Sequence, residues 1–191
     1  MSLSAVSWLI SCLLVFAQGE KHVEVERATF GAGCFWCVEA VFSHLEGVLS
    51  VEAGYAGGTT QNPTYEQVST GTTGHAEVAR ITFDPARISY ERLLEVFWEA
   101  HDPTSLNRQG ADRGTQYRSV IFYHDKNQKE TADRSRANAQ KGFSRPIVTE
   151  IKPIADFFRA ENYHQDYYAK NPGAPYCVFV IKPKLDKLKL K

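Results

Sequence analysis

The chain has little that would mark it for a charged partner. Its 191 residues carry 22 Lys and Arg against 22 Asp and Glu, a formal net charge of zero, so no overall field draws it to nucleic acid or an anionic surface. It also lacks internal repeats and low-complexity tracts, which excludes solenoids and linker-like segments. Apolar runs are short. The most prominent, Ala5 to Ala17, is interrupted by Ser7, Ser11 and Cys12 and is too short to cross a bilayer comfortably as a helix. Its end, Val15-Phe16-Ala17, places small or modest residues ahead of the polar Gln18 to His22, the arrangement of a cleaved secretory signal, although Lys and Arg are missing before the apolar run. Leu9-Ile-Ser-Cys12 offers a lipoprotein box as the alternative, but apolar residues continue past Cys12. The expectation is a leader over 1–17, a mature catalytic domain over 18–191, and an exported, periplasmic or otherwise extracytoplasmic location.

Cysteine is scarce as well, with 4 in the chain. Removal of the leader takes Cys12 and leaves Cys34, Cys37 and Cys177, an odd number in an exported chain. A disulfide-stapled domain would pair its cysteines and use more of them. A chain with 43% hydrophobic content is large enough to bury one sizeable core without staples. Three thiols therefore point to redox chemistry, one to attack and one or two to resolve.

What is present is a hydrophobic period that alternates between two and 3.6. Val23 to Gly31 reads as a strand. Val38, Val41, Phe42 and Leu45 mark a helical face that stops at Gly47, and Val48 to Tyr55 reads as a second strand. A loop rich in Gly, Thr, Asn and Pro follows from Gly57 to Gly74, and loops of that length are often functional. Ala76 to Phe83 alternates as a strand, Ser89 caps a helix with Leu93, Leu94 and Phe97 inward, and a second polar loop runs from Asp102 to Gln116. Ser119 to Tyr123 is a strand, Lys126 to Lys141 a solvated helix, and Ile147 to Ile151 a strand. Phe157 to Tyr168 reads as an aromatic helix, and Lys182 to Lys191 as a solvated tail. The order predicts an α+β two-layer sandwich, with helices packed on a mixed or largely antiparallel sheet.

The chemistry concentrates in Gly31-Ala-Gly-Cys-Phe-Trp-Cys-Val-Glu39. A small-residue turn delivers Cys34 to a helix N-terminus, where amides and the helix dipole favour a thiolate. Phe35 and Trp36 would crowd a pyrophosphate, which argues against a dinucleotide-binding turn. Cys34-x-x-Cys37 also suits a thioredoxin-like dithiol, but that leaves Gly74-His-Ala-Glu77 and Gly114-Thr-Gln-Tyr117 without a role. A zinc deaminase site built from His75, Glu77, Cys34 and Cys37 has its motifs in inverted order and Gly33 where Pro is needed. His75 reads better as a structural, hydrogen-bonded residue.

Taken together, Gly33-Cys-Phe-Trp-Cys-Val-Glu39, Gly54-Tyr-Ala-Gly-Gly58, Asn62-Pro-Thr-Tyr65, Gly74-His-Ala-Glu77, His101-Asp-Pro103, Arg108-Gln-Gly110, Gly114-Thr-Gln-Tyr-Arg-Ser119 and His164-Gln-Asp-Tyr167 resemble the peptide methionine sulfoxide reductase A family, in order from about Thr29 to Cys177. The resemblance implies a ferredoxin-like α+β fold and thiol-dependent reduction of the S epimer of methionine sulfoxide, free or in proteins. It implies Cys34 as nucleophile and Glu77 as proton donor. Tyr65 and Tyr117 would hydrogen-bond the sulfoxide oxygen beside Asp112, while Phe35 and Trp36 would receive the S-methyl group. A Cys34 sulfenic acid would be resolved by Cys177, preferred as first resolver on a mobile tail, or by Cys37. Expected partners are methionine sulfoxide and a thioredoxin-like reductant. Nucleic acid, metal, organic cofactor and stable membrane insertion are not expected, and the protein should be a monomer.

Overall fold

The computed structural model describes residues 24–190; the expected leader lies outside them. Eight strands and six helices follow in chain order: β1 Glu26–Ala32, α1 Phe35–Ser43, β2 Val48–Ala56, α2 Tyr65–Ser69, β3 Ala76–Phe83, α3 Tyr90–Ala100, β4 Arg108–Gln109, β5 Asp112–Arg113, β6 Ser119–Tyr123, α4 Lys126–Ala139, β7 Glu150–Pro153, β8 Phe157–Arg159, α5 Tyr167–Lys170 and α6 Lys182–Lys187. Six strands form one mixed sheet in the order β7-β6-β1-β3-β2-β8. Its pairs are antiparallel except β6 with β7, and β4 and β5 form a small separate hairpin. This is the expected α+β arrangement.

The main core lies where α1, α3, α4 and α6 cover one side of the sheet. Phe30, Ala79, Ile81, Phe83 and Ile121 pack there against Val41, Phe42, Leu93, Phe97 and Ala132. Residues two apart on a strand share a face, so Glu77 lies on the same helix-facing side of β3 as Ala79, Ile81 and Phe83. Ala76, Val78, Val120 and Phe122 form a smaller cluster with Phe157. His101 fastens α3 to β6, with Nδ1 2.7 Å from the Phe97 carbonyl and Nε2 2.8 Å from Ser119 Oγ. Burial lowers its pKa to about 4, so it serves the core as a neutral ring.

Four segments differ from expectation. The long loop contains α2, started by a capping box in which Thr64 Oγ1 accepts from Gln67 N and Gln67 Oε1 accepts from Thr64 N. The second polar loop contains the β4-β5 hairpin. Phe157–Arg159 is an edge strand paired with β2 rather than the start of a helix, because three open backbone positions of β2 outweigh local propensity. The lysine-rich terminus is not a solvated tail. Cys177, Ile181 and Leu185, spaced by four residues, are all buried, while Lys182 and Lys187 are exposed and Lys184 is half-buried.

Candidate active site

Cys34 lies between β1 and α1 as the residue before the first helical turn, where the sequence places it. The turn depends on glycine. Gly33 has φ +91°, and a Cβ there would meet Gln109 Cβ at 2.7 Å, while a Cβ on Gly31 would come within 3.0 Å of the Glu77 carbonyl. Bare backbone thus lets β1, β3 and the β4-β5 hairpin close around the sulfur.

Glu77 reaches across from β3 and caps α1, its Oε2 accepting from Phe35 N at 3.0 Å. It is 1% exposed. Burial raises its pKa to about 8 against the lowering effect of that amide, and the Asp112 charge adds to the rise. A carboxyl in this position keeps its proton at neutral pH.

The two nearby thiols divide differently from the sequence expectation. The Trp36 amide does favour a Cys34 thiolate, but burial, the Cys37 sulfur and the Glu77 charge outweigh it and hold the Cys34 thiol well above its ordinary pKa. Cys37 is drawn down to about 7, chiefly by the hydrogen bond from Cys34 and further by the Lys184 charge, against its own burial. The two sulfurs titrate as a coupled pair, in which burial favours the Cys34 thiol and the Lys184 charge favours a Cys37 thiolate.

Around this pair, Cys34, Phe35, Tyr55 and Val68 form a cluster with Trp36, Tyr65, Tyr117 and Tyr176. Phe35 is buried beneath the site, 5.8 Å from Tyr55 and 4.9 Å from His164 between ring centroids. Trp36 is half-buried, stacked on Tyr167 at 3.6 Å, and its Nε1 donates to His164 Nδ1 at 3.1 Å. Tyr65 opens α2, and its backbone N donates to Glu161 Oε1 at 2.9 Å. Tyr117 ends a 3-10 turn, Thr115–Tyr117, which is tied to the α2 region by Thr115 Oγ1 donating to Gly71 O and Gln116 Nε2 donating to Ser69 O. Burial, then the Glu77 charge, raises both phenol pKa values, so both hydroxyls stay protonated donors.

The structure thus brings together Cys34, Phe35, Trp36, Cys37, Tyr65, Glu77, Asp112 and Tyr117. Asp112 lines a cleft of about 180 Å³ with Cys34, Cys37, Tyr176, Val180 and Lys184. A larger groove of about 400 Å³ between α3 and α4 holds none of these groups. Cys177 is apart: it is 0% exposed and packs in the main core cluster with Cys37. Among the described residues, Cys34, Cys37 and Cys177 are all free thiols. His75 is architectural, as expected, its Nδ1 accepting from Gly58 N at 3.1 Å and its Nε2 donating to Thr60 O at 2.8 Å. Among the described residues no group of His, Cys, Asp and Glu could hold a metal ion, and no helix is long and apolar enough to cross a membrane.

Sequence reasoning passed over several supports. Glu161 holds the Tyr65 amide and the Tyr55 hydroxyl. Glu39, buried in α1, accepts from the amides of Asp166 and Tyr167 and so fixes the ring that stacks on Trp36. Lys184 and Tyr176 reach the cleft from the C-terminal segment. The chain's only advance sign of the last two was the apolar spacing of Cys177, Ile181 and Leu185.

The family model for peptide methionine sulfoxide reductase matches residues 26–191. The chain belongs to the peptide methionine sulfoxide reductase family. Its relatives include the peptide methionine sulfoxide reductase MsrA of Leptospira borgpetersenii, 55% identical over 85% of this chain and 93% of the relative. Among solved structures, reduced Mxr1 from Saccharomyces cerevisiae is 34% identical with a TM-score of 0.77, over 80% of this chain and 89% of Mxr1. Methionine sulfoxide reductase A of Corynebacterium diphtheriae is 38% identical with a TM-score of 0.72, over 80% and 78% of the two chains. A second Mxr1 structure, in complex with Trx2, shares the fold at 23% identity and a TM-score of 0.55, over 73% of this chain and 84% of that one. In this reductase family member, the cluster assembled above is the candidate active site.

Proposed function

We propose that the protein reduces the S epimer of methionine sulfoxide, free or in proteins, to methionine, and so repairs oxidised proteins. The observation that carries this reading is Glu77, a buried carboxyl with its pKa near 8, bonded to the first amide after the Cys34 thiol. Cys34 sulfur attacks the sulfoxide sulfur, passing its own proton to the Cys37 sulfur, while Glu77 gives its proton to the oxygen. As the S–S bond of that adduct and the substrate S–O bond break, the hydroxyl moves to Cys34 as a sulfenic acid and methionine leaves. Tyr65 and Tyr117 donate to the oxygen as charge builds on it, beside Asp112, and the Trp36 face with Phe35 behind it receives the S-methyl group. Each step uses side chains alone, without a metal or organic cofactor.

The thiol order supported here is Cys34, then Cys37, then Cys177. Cys37 is one helical turn from Cys34 and lines the same cleft, while Cys177 packs in the core cluster that includes Cys37. This reverses the sequence-based preference for Cys177 as first resolver. A thioredoxin-like dithiol protein then reduces the enzyme disulfide. The apolar Ala5 to Ala17 run supports export behind a 1–17 leader, which would place that reductant outside the cytoplasm; the N-terminal sequence of the protein recovered from cells tests the cleavage.

The test of the reaction is turnover of the separate S and R epimers of an N-blocked methionine sulfoxide with dithiothreitol, in wild type and Cys34→Ser. Turnover of the S epimer alone, abolished in Cys34→Ser, is expected. Turnover of neither epimer, or undiminished turnover in Cys34→Ser, would refute the assignment.

A further inference from the structure

Tyr176 is assigned no part in the scheme above, yet its hydroxyl stands at a junction. It donates to Asp112 Oδ2 at 2.8 Å and lies 3.6 Å from Cys37 Sγ. A phenol has one proton and this one is given to Asp112, so the lone pairs face the Cys37 sulfur, which must be the donor whenever it carries a hydrogen. The ring is held by an edge contact with Trp36 at 5.7 Å between centroids, and the residue lines the cleft shared by Cys34, Cys37 and Asp112.

We propose that Tyr176 is a proton relay for the resolving step, carrying the Cys37 proton to Asp112 as Cys37 attacks the Cys34 sulfenic acid. The inference rests on the reductase reading and on Cys37 as first resolver. The relay is needed because Cys37 must shed its proton to attack, and the Tyr176 hydroxyl is the polar group in contact with its sulfur. The Cys34 thiol, which favours a Cys37 thiolate at rest, is consumed when Cys34 becomes Cys34–S–OH. In the resolving step the Cys37 proton passes to the Tyr176 oxygen while the Tyr176 proton passes to Asp112, so no free phenolate forms. The Cys34–Cys37 S–S bond forms and the Cys34 S–O bond breaks. The displaced hydroxyl takes up the proton delivered to Asp112, which lines the same cleft as Cys34, and leaves as water, so the sum is sulfenic acid plus thiol giving disulfide plus water. Cys37 is oxidised and Cys34 sulfur is reduced to the disulfide level.

Other groups act on Cys37 through charge: Lys184 from α6 favours its thiolate, Asp112 from β5 opposes it, and Cys177 and Glu77 feel the Cys37 charge in turn. All of them remain in a Tyr176→Phe protein, which loses only the hydroxyl.

The experiment compares Cys177→Ser with Cys177→Ser/Tyr176→Phe, so that only Cys34 and Cys37 can pair. Each is mixed with one equivalent of the S sulfoxide without reductant. Methionine release, sulfenic acid trapped by a cyclic dione, and loss of free thiols are followed from pH 6 to 9.5. The expected result is an unchanged methionine burst, with sulfenic acid accumulating and thiol loss at least about tenfold slower at pH 6 in the Tyr176→Phe protein. The deficit should close as the pH passes the ordinary thiol range near about 8.5, where Cys37 ionises unaided. Disulfide formation at an equal rate overturns the relay, as does a deficit that is the same at every pH, a diminished methionine burst, or a sulfenic acid that persists with Tyr176 intact. No burst in either protein overturns the reductase reading itself.

Discussion

The two cysteine environments of this protein are built in opposite ways. Cys34 sits in a niche assembled from distant parts of the chain, where glycine backbone, the Glu77 cap on α1 and the hydrogen bonds joining α2 to the Thr115–Tyr117 turn leave little freedom. Cys177 lies on a segment laid over the finished core. That segment holds on through buried Cys177, Ile181 and Leu185, through one hydroxyl at Asp112, and it carries Phe179, 78% exposed, on its outer side. The difference matches two chemical demands. Attack on a sulfoxide needs fixed partners, whereas passing a disulfide outward needs a thiol whose surroundings can be opened.

The largest expected effect breaks the rigid side. Glu77→Gln should lower kcat/KM at least about a hundredfold, read from the steady-state rate with the S sulfoxide. In wild type the alkaline limb of the pH profile has a defined sign. Glu77 holds its proton below a pKa of about 8, so the chemical step should decline as pH rises through that value, and in Glu77→Gln this limb should vanish. The same group makes stability pH-dependent. The folded protein keeps a proton that the unfolded chain releases near about 4.3, so stability is lost as pH rises from there through about 8, and the loss is complete above it. Glu77→Gln should therefore melt at a higher temperature than wild type at pH 9, while at pH 4 the two should be nearly alike.

Cys37→Ser sharpens the comparison. It should still release one equivalent of methionine per enzyme but cycle at least about tenfold more slowly, because buried Cys177 must then reach Cys34 by moving its segment. Normal cycling would show that the C-terminal segment opens freely. A smaller effect is expected from Thr64→Ala, which removes the α2 cap beneath Tyr65. It should cost about 1 kcal/mol in denaturant unfolding. Phe179→Ser should leave stability within about 0.5 kcal/mol, since that ring is exposed.

Much of the rigid side was legible in the chain. Ala76–Phe83 alternates in strand fashion, Ser119–Tyr123 is a short apolar run bounded by polar segments, and α1 and α3 repeat at 3.6. Cys34 at a strand-to-helix junction followed from the Gly-Ala-Gly turn. The rise of the Cys34 pKa and the fall of the Cys37 pKa did not. They depend on burial and on the approach of Lys184, which come from tertiary packing. β8 has too few residues to carry a pattern and exists through its pairing with β2. The lysines of 182–187 concealed the Cys177, Ile181, Leu185 stripe, although a four-residue apolar spacing was there to be read. Thr64-x-x-Gln67 was likewise a capping signal inside what passed for a loop.

The most direct test of the thiol order is acid-quenched peptide mass spectrometry of wild-type protein after one equivalent of S sulfoxide without reductant, resolved in time. The structure predicts a Cys34–Cys37 disulfide first, followed by Cys37–Cys177 as the first species decays. A Cys34–Cys177 disulfide as the earliest product would contradict it.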